Sequence, residues 1–236
     1  MQFPPWNATH TEAIWVMVLF TIGYCLYFFV SESSRLRLYF QQQYGHDYHF
    51  VQGSRYFGGM VIGLLPALLM GLLMGKSLSD YGVKADDGFL SWYWILGIAC
   101  IVVPMNFFNS RKAKHLAMYP TVRRREWTRG QVASYAFSWV FYLFGYELMF
   151  RGLLLWSLLP IMGAWPAIIL NVVLYVLVHV PKSLEETIGA APLGLLLCLI
   201  TLTTGTIWVA FVVHVILALS NFLYSLRHHP DMRLIR

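Results

Sequence analysis

Charged residues are scarce in this sequence. Asp, Glu, Lys and Arg make up 12% of its 236 residues, whereas soluble domains carry roughly 25%. Apolar residues make up 58% of the chain, and the mean hydropathy is +0.59. This composition excludes a disordered chain, a coiled coil and an ordinary soluble domain. An integral membrane protein is the class that remains.

Cysteine is also rare. The sequence has three, Cys25, Cys100 and Cys198, and each falls inside a long apolar stretch. No two of them are close enough for a CxxC motif, so a disulfide framework is not expected. We also find no internal repeat and no low-complexity tract, so the whole chain is interpreted as one membrane domain.

Several apolar runs approach the length of a bilayer crossing, which takes about 20 residues of helix. Helices are expected because lipid offers the backbone no hydrogen-bond partners. We predict an all-α polytopic membrane protein with about seven transmembrane helices, and counts of six to eight fit the same pattern. The runs are 13–30, 57–75, 89–108, 132–159, 163–179, 189–203 and 207–224. The last two are separated only by the turn at 204–206.

The positions of Lys and Arg predict the orientation, since cytoplasmic loops of membrane proteins are rich in both. With the N-terminus outside, the inner side has 14 of these residues and the outer side has two. Seven of them lie in loop 109–131. We therefore predict N-out and C-in, with the basic loop against anionic lipid. The pI of about 9.3 is explained in this way without a nucleic acid partner.

A few ionisable residues interrupt the predicted spans. Glu147 and Arg151 lie four apart in the fourth span, His179 ends the fifth, and His214 lies in the middle of the seventh. Such residues are costly in a membrane and usually mark function. Glu and His without a nearby Ser or Cys nucleophile favour activation of a water molecule. A zinc ion held by Glu147, His179 and His214 is an alternative, although no HExxH motif is present. A structural Glu–Arg ion pair is another.

These residues resemble the motifs of the CAAX-protease and bacteriocin-processing (CPBP, or Abi) family of membrane proteases. The segment 146–152, Tyr-Glu-Leu-Met-Phe-Arg-Gly, is similar to the family's EExxxR signature. Tyr175 and His179 resemble its second motif, an aromatic residue followed four later by His. His214 resembles the third motif, a His in the last core helix. The resemblance covers roughly residues 130–225, in the C-terminal half of the chain.

The resemblance implies an intramembrane endopeptidase whose site opens towards the cytoplasm. It implies that Glu147 is the base or orients His179, and that Arg151 fixes the position of this acid. It further implies that His179 handles the water and that His214 stabilises the oxyanion. It divides the chain into N-terminal helices, 1–130, and a catalytic core with a cytoplasmic tail, 131–236.

Two positions depart from the family pattern. Tyr146 stands where the family motif has its first Glu. Ala218 stands four residues after His214, where the family commonly has Asn. Tyrosine, with a pKa of about 10, is a poor base at neutral pH. We therefore include the loop acid Glu186 among the catalytic candidates. Tyr146, Tyr175 and Asn221 are predicted to contact the substrate.

The predicted function is hydrolysis of a peptide bond in a peptide or protein substrate at the membrane. No cofactor is expected, with the zinc site as the open alternative. The location that fits best is a bacterial inner membrane, where peptide maturation, protein sorting or bacteriocin immunity are suitable roles. The departure at Tyr146 leaves a second hypothesis: an inactive, protease-like scaffold that binds a membrane or peptide partner.

Overall fold

The structure is a computed structural model that describes residues 5–85 and 88–235. Helices dominate it, so the predicted all-α polytopic membrane architecture is confirmed. The first residues of the predicted outer segment lie outside the described part.

Eleven α-helices are present among the described residues. They are α1 (Ala8–Ser31), α2 (Ser34–Tyr44), α3 (Tyr48–Gly58), α4 (Leu65–Met74), α5 (Phe89–Asn109), α6 (Ala113–Leu116), α7 (Arg129–Glu147), α8 (Leu155–Met162), α9 (Ala164–Leu177), α10 (Leu184–Thr204) and α11 (Trp208–His228). Two π-helical segments, π1 (Gly59–Leu64) and π2 (Leu148–Leu154), join α3 to α4 and α7 to α8. A 3-10 turn spans Leu78–Tyr81.

Five helices of the described chain are long and apolar enough to cross a membrane: Ala8–Ser31, Tyr48–Met74, Ser91–Asn109, Leu184–Thr204 and Trp208–His228. The fourth predicted span corresponds to α7, π2 and α8, which carry the charged pair. The fifth corresponds to α9, which is apolar but has 14 residues. The count of seven and the orientation stay predictions.

Local sequence signals explain where the helices of the C-terminal half begin and end. Thr128 and Gln131 form a capping box at the start of α7, and the Ser183 hydroxyl accepts from the Glu186 amide at the start of α10. Gly205 adopts a left-handed conformation (φ 70°) directly after α10. Glycine takes this conformation without steric cost, so the turn predicted at 204–206 separates α10 from α11 as expected.

Small residues bring the second predicted span close to α7. A Cβ atom on Gly63 would lie 2.1 Å from the carbonyl oxygen of Gly145, and one on Gly145 would lie 2.3 Å from that of Gly59. Gly59 and Gly63 are four residues apart, the spacing that lets membrane helices approach closely. This backbone contact fixes α7, and with it Glu147, against the N-terminal helices.

A small layer covers the end of the bundle that is predicted to be cytoplasmic. Two parallel strands, β1 (Glu126–Thr128) and β2 (Arg233–Ile235), pair across more than 100 residues of sequence. Trp127 of β1 is fully buried with Tyr135 and Phe222. In this way part of the basic loop and the C-terminal tail close over α7 and α11.

Candidate active site

Glu147 is the centre of a buried polar cluster. One carboxylate oxygen lies 2.6 Å from Nδ1 of His214, and the other lies 3.2 Å from a guanidinium nitrogen of Arg151. The side chains of Glu147 and Arg151 are fully buried. Arg151 Cζ also lies 4.3 Å from the centre of the Tyr175 ring. The contact with Arg151 is an ion pair without a hydrogen bond, since Oε2 of Glu147 and the guanidinium nitrogens have no hydrogen-bond partner among the described residues. The carboxylate is therefore placed to orient His214 and to neutralise the charge of Arg151.

The predicted partner of this acid was His179, and the structure places His214 beside it instead. A carboxylate only accepts hydrogen bonds, so Nδ1 of His214 carries the proton in this contact. Nε2 of His214 has no protein partner among the described residues. The lone pair of the neutral ring therefore lies on Nε2, away from Glu147.

His179 has the same arrangement with a different acceptor. Its Nδ1 lies 2.7 Å from the backbone oxygen of Tyr175, and a carbonyl oxygen also only accepts. The Nε2 atom is left without a partner in the described chain. Neither Nε2 is among the enclosed unpaired polar atoms, so both keep some accessible surface. The site thus offers two imidazole lone pairs to a small molecule such as water.

Tyr146 lies between the two histidines. Its ring centre is 5.7 Å from that of His214 and 6.3 Å from that of His179. Tyr175 is packed against it at 5.8 Å. The Tyr146 hydroxyl is enclosed and has no hydrogen-bond partner among the residues described. Tyr146 therefore presents a donor without a partner inside the cluster.

The π2 segment carries Arg151 and is held in place by a hydrogen bond from α9. A π turn leaves backbone groups without their α-helical partners, and such turns are frequent at functional sites. The Asn171 amide donates to the backbone oxygen of Phe150 within this segment, and the Cys198 thiol lies 3.3 Å from the Asn171 amide oxygen. Sequence reasoning missed Asn171. The available signal was its spacing, since residues 171, 175 and 179 recur every four positions on one face.

Glu186 and Asn221 have other partners in the structure. Glu186 accepts from the Tyr119 hydroxyl, and its second oxygen lies 3.9 Å from Lys182. The side-chain oxygen of Asn221 lies 2.7 Å from His115 Nε2. Within the described part of the chain, no hydrogen bond or ion pair joins either residue to Glu147 or His214. Their proposed roles stay predictions, and the geometry favours a site without them.

The zinc alternative has no matching arrangement. Within residues 5–85 and 88–235, no group of three or more His, Cys, Asp or Glu side chains is placed to hold a metal ion. Glu147 already binds Arg151, and a second cation beside it is unfavourable. The chemistry below is therefore derived from the protein's own residues.

The residues of this cluster lie in a segment that matches a known protein family. Residues 128–220 match the family model described as type II CAAX prenyl endopeptidase Rce1-like. The matched segment contains Tyr146 to Gly152, Tyr175, His179 and His214. This part of the chain is similar to that family. The resemblance predicted from the motifs is confirmed, and the family supports, in general terms, a membrane endopeptidase of the CAAX-protease type. Comparisons with curated proteins and with solved structures found no match.

Proposed function

We propose that the protein hydrolyses a peptide bond with water activated by the Glu147–His214 pair and His179. The observation that carries the proposal is the buried contact of 2.6 Å between Glu147 and His214 Nδ1, which leaves Nε2 of the imidazole free. An imidazole oriented by a carboxylate is a suitable general base at neutral pH.

In the attack step, a water molecule binds between the two free Nε2 atoms. His214 Nε2 takes one proton as the water oxygen attacks the carbonyl carbon, and the second proton of the water donates to His179 Nε2. The Glu147 carboxylate stabilises the imidazolium that forms, as the acid does in other carboxylate–histidine pairs. Arg151 keeps Glu147 ionised in its buried setting. These contacts favour His214 as the base and His179 as the residue that positions the water.

The substrate carbonyl oxygen becomes negatively charged in this step and needs a donor. The Tyr146 hydroxyl is an unpaired donor in the cluster, where the guanidinium nitrogens of Arg151 are also without hydrogen-bond partners among the described residues. One well-placed donor accelerates such reactions about 100- to 1,000-fold. When the C–N bond breaks, the proton on His214 passes to the leaving amine. Tyr146 thus serves as an oxyanion donor, a role that requires its neutral form.

The substrate of this reaction is a membrane-associated peptide whose reacting segment enters from the predicted cytoplasmic side. The matching family description names prenyl CAAX endopeptidases, so a farnesylated peptide is the first probe of the chemistry; in a bacterium a prenylated protein is not the expected natural substrate. We place the protein in a bacterial inner membrane, with residues 131–236 as the catalytic core and 1–130 as supporting helices. Peptide maturation or protein sorting fits this location.

Purified protein in lipid nanodiscs tests the proposal. A farnesylated peptide, ending in cysteine, two aliphatic residues and one further residue, is incubated in H₂¹⁸O and analysed by mass spectrometry. We expect one ¹⁸O atom in the new carboxyl terminus. We also expect a loss of about 100- to 10,000-fold in His214→Ala, the range for removal of a general base. Arg111→Gln is the control, because Arg111 is exposed and its side chain contacts the Phe107 ring and no other side chain of the described residues.

The inactive scaffold remains the second candidate, because Tyr146 stands where the family has an acid. A scaffold predicts binding of the peptide without ¹⁸O incorporation. It also predicts equal results for the wild type and His214→Ala. The same experiment therefore separates the two functions.

A further inference from the structure

A polar cavity lies at the end of the bundle that is predicted to be cytoplasmic. Its volume is about 590 Å³, within the range of small-molecule sites. Two parts of the chain line it: the segment from α2 to the start of α3, and the basic loop between α5 and α7. The side chains from the first are Arg37, Gln41, His46 and Asp47, and those from the second are Thr121 and Arg123. A ligand in the cavity would therefore contact both segments, and none of the residues around Glu147.

Arg37 brings unused hydrogen-bond donors to this cavity. Its side chain is 41% exposed, and a terminal nitrogen lies 3.7 Å from the Asp47 carboxylate. This distance allows an ion pair but is too long for a hydrogen bond. Its guanidinium carbon lies 5.4 Å from the centre of the Phe50 ring. No hydrogen bond from the Arg37 guanidinium is present among the described residues. A fork of N–H groups is thus available to an incoming anion.

Arg123 supplies a second cation from the opposite side of the cavity. Its two terminal nitrogens donate to the backbone oxygens of Leu116 and Ala117, and these bonds hold the guanidinium in place. The Nε–H group is left without a partner in the described chain. Neither backbone oxygen neutralises the charge. Arg123 is therefore a fixed cation with one remaining donor.

His46 adds a neutral donor. Arg124 contacts Nε2 of this ring, and since arginine only donates, the proton of the imidazole lies on Nδ1. That Nδ1 has no hydrogen-bond partner among the residues described. Burial and the charge of Arg124 lower the pKa of His46, so the ring is neutral at pH 7. Among the lining residues, the two arginines therefore oppose a single carboxylate, that of Asp47, and the net positive charge favours an anion.

The position of α2 indicates the source of this anion. The spanning helix α1 ends at Ser31 and α2 begins at Ser34, so α2 starts at the membrane surface. Arg37, Gln41 and Tyr44 are spaced by four and three residues and share one face of the helix. Tyr44 is half exposed, and tyrosine is typical of the boundary between lipid and water. Basic pockets on the cytoplasmic side of membrane proteins suit the headgroups of anionic lipids.

We propose that this cavity binds the phosphate of an anionic phospholipid from the leaflet on the predicted cytoplasmic side. Arg37 and the Nε–H group of Arg123 donate to the phosphate oxygens, since guanidinium groups match phosphate geometry. The bound headgroup links α2 to the basic loop. The inference is independent of the proposed function, because it concerns a different part of the molecule and no chemical step.

Native mass spectrometry of the full-length protein in detergent tests this assignment by counting bound lipids. Wild-type protein should bind one molecule of phosphatidylglycerol more tightly than phosphatidylcholine, whose headgroup has no net charge. Arg37→Gln should weaken this binding about 5- to 30-fold, as expected for one lost charged contact. The matched control is Arg35→Gln, since Arg35 is exposed on the same helix and does not line the cavity.

The control separates a built site from general attraction to a basic surface. Arg35→Gln should bind phosphatidylglycerol as the wild type does. Equal weakening in the two variants would overturn the proposal, because only the total charge would then matter. Equal binding of the two lipids by wild-type protein would overturn it as well.

Asp47→Asn tests the site in the opposite direction. The substitution removes the negative charge beside Arg37, and no side-chain hydrogen bond of Asp47 caps α3. The variant should therefore fold and should bind phosphatidylglycerol several-fold more tightly than the wild type. Unchanged or weaker binding would overturn the proposal, and this holds even where Arg37→Gln fails to fold.

A titration with glycerol 1-phosphate distinguishes a lipid from a soluble phosphate compound. This molecule has the phosphate and the glycerol of the lipid and lacks the acyl chains. A lipid site at the membrane surface predicts that it binds much more weakly than phosphatidylglycerol. Binding as tight as that of the lipid would overturn the lipid assignment and identify a soluble phosphate compound as the ligand.

Discussion

Replacing Glu147 with Gln should destabilise the protein as well as inactivate it. The substitution keeps the shape of the side chain and removes its charge. Arg151 is then a fully buried cation whose one ion pair among the described residues, at 3.2 Å, has been lost. Removing one partner of a buried pair costs about 3–5 kcal/mol. This corresponds to roughly two to four powers of ten in the unfolding equilibrium.

The companion change is Arg151→Met, which removes the cation and keeps a long apolar side chain. A buried pair replaced on both sides by neutral groups is often nearly as stable as the original. Glu147→Gln/Arg151→Met should therefore recover most of the stability lost in Glu147→Gln. It should not recover activity, because His214 still lacks the carboxylate that orients it.

Unfolding of these variants can be followed in mixed micelles by steric trapping, with peptide cleavage measured on the same samples. The Arg111→Gln variant serves as the reference for loss of an exposed charge and should behave as wild type. If Glu147→Gln is as stable as wild type, the ion pair does not hold Arg151 as described. If the double variant is active, Glu147 is not the residue that orients the base.

Two further predictions concern packing and the unpaired hydroxyl. Gly145→Ala should strongly lower the yield of folded protein, because the new Cβ atom would lie 2.3 Å from a backbone oxygen of Gly59. The control Gly97→Ala, with open space around the new Cβ atom, should not lower it. Size-exclusion chromatography in detergent compares the two yields, and equal yields would refute the close helix contact. Tyr146→Phe should slow cleavage about 100-fold or more while leaving thermal stability unchanged or slightly higher, because the lost hydroxyl has no partner. Unchanged cleavage would exclude Tyr146 as the oxyanion donor.

Much of the architecture is predictable because lipid imposes strong constraints on sequence. Charge-free runs of about bilayer length predicted the long helices. The short interruption at 204–206, which contains Gly205, predicted the turn between α10 and α11. The pairing of β1 with β2 was not predictable, since three-residue strands so far apart in sequence carry no periodic signal. The π segments were also missed. Their extra residue per turn is stabilised by tertiary contacts such as the one between Asn171 and Phe150.

The candidate site was likewise predictable in part from the sequence. The i, i+4 spacing of Glu147 and Arg151 predicts their contact, and the structure shows it. Which histidine binds Glu147 depends on how α9 and α11 pack, and the sequence does not determine that packing. Arg55 lies just before the predicted run 57–75 and so falls outside every predicted span, whereas the structure places it inside α3 and buries it. Its burial depends on Tyr135 and Trp139 of another helix.

The central claim is that the cluster of Glu147, His179 and His214 cleaves peptides. The most direct test is mass spectrometry of peptide termini in a deletion strain, complemented with wild type or with Glu147→Ala, His179→Ala or His214→Ala at matched membrane abundance. The account predicts that a set of new termini depends on the wild type and is absent with all three folded variants. Full restoration of those termini by all three variants would contradict it.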